Sequence, residues 1–309
     1  MSFEPEFFFE EVDDEFKEEQ CNFRHLTTTP ERAKKRVLSA GTLLAVLVHH
    51  LRTLCRLPSY NVPTIRAKSP EDIESAAEAC REHWSLGTDR PILSVGRVVE
   101  NAGVVMSRLN AQTDKVDAFS RSGPVSIVVL NTAKGSPSRS IFDTAHEIGH
   151  LVLHAGERPG PTDREKEADH FAGAFLMPRK EFRREFGAMS RLDWEKLFEL
   201  KRRWRASLQA IIYRAYALHA LQATEYRHAY KYIYARGWHR GEPHEPAEEH
   251  PELIPKAVDL VEKRRGLPFA ALAGALHWRP DVLSRITDIP IPSSPQGGAV
   301  VHLEPHRRP

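Results

Sequence analysis

Residues 136–154 read SPSRSIFDTAHEIGHLVLH, and within them His146, Glu147 and His150 spell the motif H-E-x-x-H. An α-helix advances about 100° per residue, so positions i and i+4 lie about 40° apart on one face. Two imidazoles at that spacing can bind one Zn²⁺ ion, and the glutamate between them can reach a metal-bound water as a general base. The stretch therefore predicts a metal-binding helix.

The residues around the motif support a helix. Ser136 can cap its first turn, and Pro137 suits a position where no N–H is needed. Small and apolar residues recur at helical spacing and give the helix a face to bury, namely Phe142, Ala145, Gly149 and Val152. An amphipathic helix with two solvated histidines is the alternative interpretation, and the match of the spacing to metal chemistry favours the metal site.

A catalytic zinc site commonly has three protein ligands and one open position. His154 lies ~12 Å along a straight helix from His146, so the two cannot share an ion, and we expect His154 to pack or to hydrogen-bond. The next predicted helix, 162–177, carries Glu165 and, one turn later on the same face, Asp169. Glu165 can complete the ligand set, and Asp169 can accept a hydrogen bond from a ligand histidine.

Two other interpretations of this second helix stay open at this point. Thr162 and Glu165 form T-x-x-E, a helix-start signature, so the Glu165 side chain can instead close a capping box. Glu167, two residues further on, is the rival third ligand.

The two helices together resemble a known family. The runs FDTAHEIGHLVLH at 142–154 and EKEADHFAGAFLMP at 165–178 look like those of the ImmA/IrrE zinc metallopeptidases, and the likeness extends over residues 68–240. The resemblance implies a gluzincin-like endopeptidase, and its E-x-x-x-D pattern, here Glu165 and Asp169, favours Glu165 as the third ligand. It also implies a helix-turn-helix repressor as the substrate, in a stress or mobile-element circuit.

The resemblance bears on the start of the chain as well. In longer relatives a helix-turn-helix domain precedes a Pro-x-Phe-Phe segment similar to residues 5–8. No such domain stands in this sequence, so we expect a natural short form or a start that was set too far downstream. DNA is accordingly a less expected partner than a repressor protein.

The composition is that of an ordinary globular protein, with 41% hydrophobic and 28% charged residues among 309. A formal net charge of +2 argues neither for nor against nucleic acid. Three cysteines without a C-x-x-C pair suggest neither a disulfide framework nor a thiolate zinc site, and they fit a reducing compartment. The acidic start is unlike a signal peptide, and the apolar run Leu43–Val48 is too short to cross a membrane. We expect a cytoplasmic protein without a membrane partner.

The predicted fold is α+β and mostly helical. Short apolar runs bounded by turn residues predict strands at 103–109, 116–120 and 124–130. We expect a small antiparallel sheet packed on the H-E-x-x-H helix in a zincin-like arrangement, with additional helices on both sides. In zinc peptidases of the resembled kind an edge strand holds the substrate extended by strand addition, and 116–120 is our choice for it.

Composition shifts and prolines divide the chain into segments. We predict a flexible acidic leader at 1–30, an N-terminal helical segment and linker at 31–67, the zinc metallopeptidase domain at 68–182, a helix-turn-helix-like helical region at 183–240, a C-terminal helical region at 241–289 and a tail at 290–309.

Residues 192–220 combine a basic helix with a capped second helix, which is the outline of a helix-turn-helix. A docking surface for nucleic acid or a repressor is the functional interpretation. A solvated basic face is the alternative, and it is favoured because no full motif is present. The aromatic-rich stretch 226–238 is expected to pack in a core, and 239–252 to form a loop.

The sequence thus predicts a zinc-dependent endopeptidase. Its predicted metal ligands are His146, His150 and Glu165, with Asp169 behind a ligand histidine and Glu147 as the group that takes and later delivers the proton.

A second donor to the developing oxyanion is usual in such chemistry, and His154, His170 and Tyr213 are unranked candidates. The competing hypothesis is a non-proteolytic, zinc-containing transcriptional regulator that binds a repressor or DNA without cutting it. An open coordination position and a cleaved partner distinguish the two.

Overall fold

The computed structural model describes residues 3–5, 7, 14–17, 22–23, 31–109, 118–131, 135–155, 162–187 and 192–292. Most of them are helical, so the predicted α+β, mostly helical class is confirmed. Within these residues the helices are α1 Glu31–Leu54, α2 Pro70–His83, α3 Val95–Asn101, α4 Pro137–Leu153, α5 Thr162–Leu176, α6 Arg179–Phe186, α7 Trp194–Trp204, α8 Leu208–Ala217, α9 Ala223–Ala235, α10 Leu253–Arg265, α11 Phe269–Gly274 and α12 Pro280–Thr287.

The described part of the chain contains a four-stranded sheet in the order β1-β3-β4-β2. Its strands are β1 Asn22–Phe23, β2 Val105–Leu109, β3 Ala118–Arg121 and β4 Ile127–Asn131. β3 pairs antiparallel with both β1 and β4, whereas β2 pairs parallel with β4. The sheet is therefore mixed, and the expectation of an antiparallel sheet is wrong for β2.

Short apolar runs in the sequence locate the strands, but they specify neither the order of the strands in the sheet nor their directions. β4 is buried on both faces, with Val128 and Leu130 in one core and Ile127 and Val129 in the other. A strand buried in this way has a neighbour on each side, and β3 and β2 take the two places. Apolar content alone positions such a strand without giving its direction.

The predicted substrate-binding edge strand, 116–120, is also corrected. Phe119 and Ser120 pair with β1, so β3 is flanked on both sides at these positions. Val116 and Asp117 lie outside the described residues.

Helices cover both faces of the sheet. One core joins the sheet to α2–α9 and contains α4, the H-E-x-x-H helix, through residues such as Ala145 and Ile148. The other core joins the opposite face to α1 and α10–α12. The H-E-x-x-H helix thus lies against one face of the sheet, and the N-terminal and C-terminal helices support the other.

The long helix α1 is more apolar than the sequence analysis anticipated. Residues Lys34–Leu54 pass the length and composition tests for a membrane-crossing helix, and buried core helices pass the same tests. In the fold Leu44, Leu47 and Leu51 are buried in the core shared with α10–α12. Packing in that core accounts for the apolar composition of α1.

Part of the predicted leader is anchored. Phe16 is buried and lies edge-on to Phe119, with ring centroids 6.3 Å apart, and Asp14 pairs with Arg121 at 2.6 Å. Most other residues of 1–30, and the tail from 293 to 309, lie outside the described residues. The predicted segment boundaries stay predictions.

Helices α4 and α5 approach closely at Gly149. A Cβ at this position would stand 3.2 Å from both the Cα of Ala168 and a ring carbon of Phe171. Such distances are shorter than ordinary van der Waals contact, so glycine is what lets the two backbones meet here. The approach brings the side chains of α5 over the histidines of α4.

An irregular segment, residues 239–252, runs across one side of the molecule, and we call it the acidic strap. Three of its glutamates each accept a hydrogen bond from the first turn of a different helix: Glu242 from the Leu208 N–H of α8 at 2.7 Å, Glu245 from the Ser138 N–H of α4 at 2.8 Å, and Glu249 from the Gly96 N–H of α3 at 2.9 Å. Such bonds satisfy donors that a helix leaves unpaired at its start. Buried Lys201 donates to Glu242 and Glu245 and joins the strap to α7.

Candidate metal centre

The predicted motif lies on the inner side of α4. Ser136 caps the helix by accepting a hydrogen bond from the Arg139 N–H at 3.4 Å, and Pro137 occupies the first turn, as predicted. His146, Glu147 and His150 are only 1%, 1% and 3% exposed. The helix therefore presents the motif to a protected interior rather than to bulk water.

The structure brings the three predicted ligands together. The Nε2 atoms of His146 and His150 are 3.1 Å apart, and the Glu165 carboxylate oxygens lie 3.4 Å and 3.3 Å from them, respectively. A tetrahedral zinc ion with bonds near 2.0–2.1 Å places its ligand atoms about 3.3 Å from one another. The donor atoms thus already stand at the separations that a tetrahedral ion requires.

Asp169 lies behind the first ligand, where the spacing predicted it. Its Oδ1 is 2.8 Å from His146 Nδ1. A carboxylate accepts hydrogen bonds only, so Nδ1 carries the proton and the Nε2 lone pair points at the ligand cluster.

A second chain of contacts, which the sequence analysis missed, orients His150. Glu167 Oε2 is 2.8 Å from His154 Nε2, and His154 Nδ1 is 3.1 Å from His150 Nδ1. The carboxylate assigns the proton of His154 to Nε2, which leaves its Nδ1 as an acceptor for the Nδ1–H of His150. The lone pair of His150 Nε2 therefore also points at the cluster. We call these three residues the histidine relay.

The positions of Glu167 and His154 bear on two alternatives that the sequence leaves open. Glu167, the rival third ligand, contacts His154 and not the paired Nε2 atoms, while Glu165 contacts both. His154 hydrogen-bonds to Glu167 and His150. Two features of the sequence could have indicated the relay, namely His154, four residues after His150, and Glu167, two residues after Glu165.

The chemistry of the donors fits a divalent cation. The two imidazole rings and one carboxylate converge on a common point, and a divalent cation that binds nitrogen and oxygen ligands fits this set. Among the described residues, these three offer ligand atoms that all lie within 4.8 Å of one another, which is close enough to hold one metal ion.

Comparison with known proteins agrees with this geometry. Residues 99–216 match the Peptidase_M78 family model, described as the IrrE N-terminal-like domain. Over this stretch the chain is similar to that family. The assignment supports a metallopeptidase-type function and the resemblance to the ImmA/IrrE family. No curated protein matches the chain.

The Peptidase_M78 match includes β2–β4 and the helices α4–α8, and thus the whole ligand cluster, while the acidic strap and α10–α12 lie beyond it. The strap nevertheless contacts the domain at the start of its metal-binding helix, through Glu245 and Ser138.

Burial affects the protonation of the cluster. Burial lowers the pKa of His150, which favours the neutral ring that a metal ligand must be. Neutral imidazoles and an ionised carboxylate are the protonation states that bind zinc.

The structure separates the three candidate oxyanion donors, all of which lie in the matched region. His154 belongs to the histidine relay, and His170 is 2.7 Å from the buried carboxylate of Glu74. Tyr213 is 45% exposed and lines the same cavity as Asp169. Tyr213 is the candidate with access to a substrate beside the metal centre.

The helix-turn-helix-like pair corresponds to α7 and α8. Its basic residues are largely engaged within the protein: Lys201 is buried between two glutamates, Arg203 pairs with Glu185 at 2.5 Å, and Arg205 pairs with Glu249 at 3.2 Å. Cations that already have carboxylate partners contribute little to phosphate binding. The basic residues named here therefore serve internal ion pairs more than they form a basic face.

Proposed function

We propose that this protein is a zinc-dependent endopeptidase that cleaves a helix-turn-helix transcriptional repressor in the cytoplasm, in a stress or mobile-element circuit. The observation that carries the proposal is the convergence of His146 and His150 of α4 with Glu165 of α5 at tetrahedral spacing, with Glu147 buried on α4 between the two histidines. The nature of the substrate rests on the resemblance to the ImmA/IrrE family.

The residues divide the chemical work between them. Zn²⁺ held by His146, His150 and Glu165 would supply a Lewis acid that polarises the scissile carbonyl and lowers the pKa of a bound water toward ~7. Glu147 takes the proton from the attacking water and delivers it to the leaving amine, so one carboxylate serves first as base and then as acid. Asp169 and the histidine relay keep the ligand rings in the orientation that the metal needs.

The test is mass spectrometry of candidate repressors co-expressed with the wild-type chain or with Glu147→Gln. We expect discrete repressor fragments with the wild type, and intact repressor with a variant that still contains one equivalent of zinc. Undiminished cleavage by Glu147→Gln would refute the role of this residue. An intact repressor that co-purifies with the wild type would instead favour the non-proteolytic regulator.

A further inference from the structure

A cavity of about 680 Å³ opens beside the metal centre. It shares Asp169 with that centre, and Asp143, three residues before His146 on α4, also lines it. Three residues of helix correspond to about 4.5 Å along the axis. The cavity therefore lies within about one helical turn of the ligand cluster.

One residue that lines the cavity is a glutamate with a carboxylate oxygen that lacks a hydrogen-bond partner. Glu242 lines it, and the side chain of Glu242 is only 6% exposed. One carboxylate oxygen accepts hydrogen bonds from Lys201 Nζ and the Leu208 N–H, both at 2.7 Å. The other oxygen, Oε1, is buried without a hydrogen-bond partner in the described part of the chain. A buried carboxylate oxygen in this state calls for a hydrogen donor.

The charge around that acid is unbalanced. Lys201 is the shared partner of two carboxylates, Glu242 at 2.7 Å and Glu245 at 2.8 Å. One ammonium between two carboxylates leaves one formal negative charge, which backbone N–H groups at the starts of α8 and α4 and the Ser138 hydroxyl partly offset. A donor that is also positively charged fits this acid better than a neutral one.

The aromatic side chains that line the cavity also favour a positively charged group. Tyr213, Tyr230 and Trp238 line it, and the faces of such rings attract ammonium and guanidinium groups. Two arginines among the lining residues do not cancel this attraction for a cation. Arg139 stands 3.8 Å from the carboxylate of Asp143, and Arg240 is exposed to solvent. An aromatic enclosure with an acid at its floor accommodates a long side chain that ends in a positive charge.

We propose that this cavity binds the arginine or lysine side chain of a substrate residue next to the scissile bond, with Glu242 as the residue that selects the charge. The inference rests on the proposed peptidase function and specifies its substrate. Glu242 acts in binding and specificity rather than in the chemical step.

The first test compares peptide binding to the zinc-loaded protein carrying Glu147→Gln, so that no peptide is consumed. A fluorescent alanine-based octapeptide series carries one arginine at each position in turn, and each member is matched by a peptide with citrulline, the neutral isostere. We expect fluorescence anisotropy to show at least a tenfold preference for arginine at one position. Equal binding of the two peptides at every position would overturn the proposal.

Variants identify the acid responsible. Glu242→Gln keeps the shape and an acceptor for the Leu208 N–H, and it should reduce the preference to less than threefold. Glu249→Gln is the matched control, because Glu249 also caps a helix from the acidic strap but does not line the cavity. Persistence of the full preference in folded Glu242→Gln would contradict the assignment.

A third variant covers the case in which Glu242→Gln fails to fold. Arg240→Glu replaces an exposed cation at the cavity, so it should leave the melting temperature unchanged and raise the arginine preference at least threefold. An unchanged preference would count against the proposal. Cleavage of a mixed peptide library by the wild type then separates the two levels. Absence of any cleavage argues against the peptidase function, whereas cleavage without basic residues near the cut argues against the cavity's role.

Discussion

The histidine relay predicts that a residue outside the ligand set controls zinc affinity. His154→Phe removes the acceptor for the Nδ1–H of His150, which stands 3.1 Å away, and replaces it with a ring of similar size. Because His154 is only 7% exposed, water has little access to replace the lost bond.

The expected loss of zinc affinity can be estimated from the hydrogen bond that the substitution removes. A buried N–H left without an acceptor costs about 1–3 kcal/mol, and loss of the groups behind a metal ligand typically weakens binding about 10–100-fold, which is about 1.4–2.7 kcal/mol. The ring of His150 would also be free to place its proton on Nε2, the atom that faces His146 and Glu165. We therefore expect the Kd for zinc to rise about 10–100-fold.

Competition with a chromophoric zinc chelator at neutral pH measures the affinity, and circular dichroism confirms that the variant is folded. His154→Gln is the control, because its amide oxygen can still accept the proton of His150 and should restore much of the affinity. A folded His154→Phe protein that binds zinc as tightly as the wild type would show that the relay does not orient His150.

Two further predictions concern the packing and the charges around the centre. Gly149→Leu forces α4 and α5 apart where a Cβ would already stand 3.2 Å from Ala168, so thermal unfolding should show a loss of about 1–3 kcal/mol and metal analysis less than one equivalent of zinc; full zinc content would contradict the role of this close approach. Burial would raise the pKa of Glu74, but Arg214 and His170 outweigh it and lower that pKa to about 2. A depressed pKa of this kind stabilises the fold by about 3 kcal/mol above pH ~4.5. This stabilisation is lost as the pH falls toward the pKa of Glu74 in the folded protein. Urea unfolding should accordingly show Glu74→Gln less stable than the wild type at pH 7, with a difference that shrinks between pH 4.5 and 2; a difference independent of pH would argue against the ion pair.

The ligand cluster was predictable because most of it is local. His146, Glu147 and His150 share one helix, and Glu165 and Asp169 share another, so helical geometry fixes each group. The choice between Glu165 and Glu167 depended on how the second helix lies over the first. That placement comes from Gly149 and from His154, whose partner the sequence does not reveal.

The sheet and the acidic strap show what local patterns leave open. Apolar runs located the strands, but the parallel pairing of β2 with β4 depends on which strand takes the central place. The glutamates of the strap looked like loop residues, because the helix starts that they cap lie 34, 107 and 153 residues away. Nothing in the sequence near either partner signals such a contact.

The strap also has a consequence for the way this protein can be divided or recombined. The matched family region ends at residue 216, yet the first turn of its metal-binding helix and the buried ammonium of Lys201 depend on Glu242 and Glu245. A fragment trimmed to the recognised family boundaries would lose both carboxylate partners of Lys201 and the acceptor of the Ser138 N–H, so we expect it to be less stable than the full chain. For the same reason, we expect a chimera that exchanges the catalytic segment to be stable only when the strap glutamates are exchanged with it.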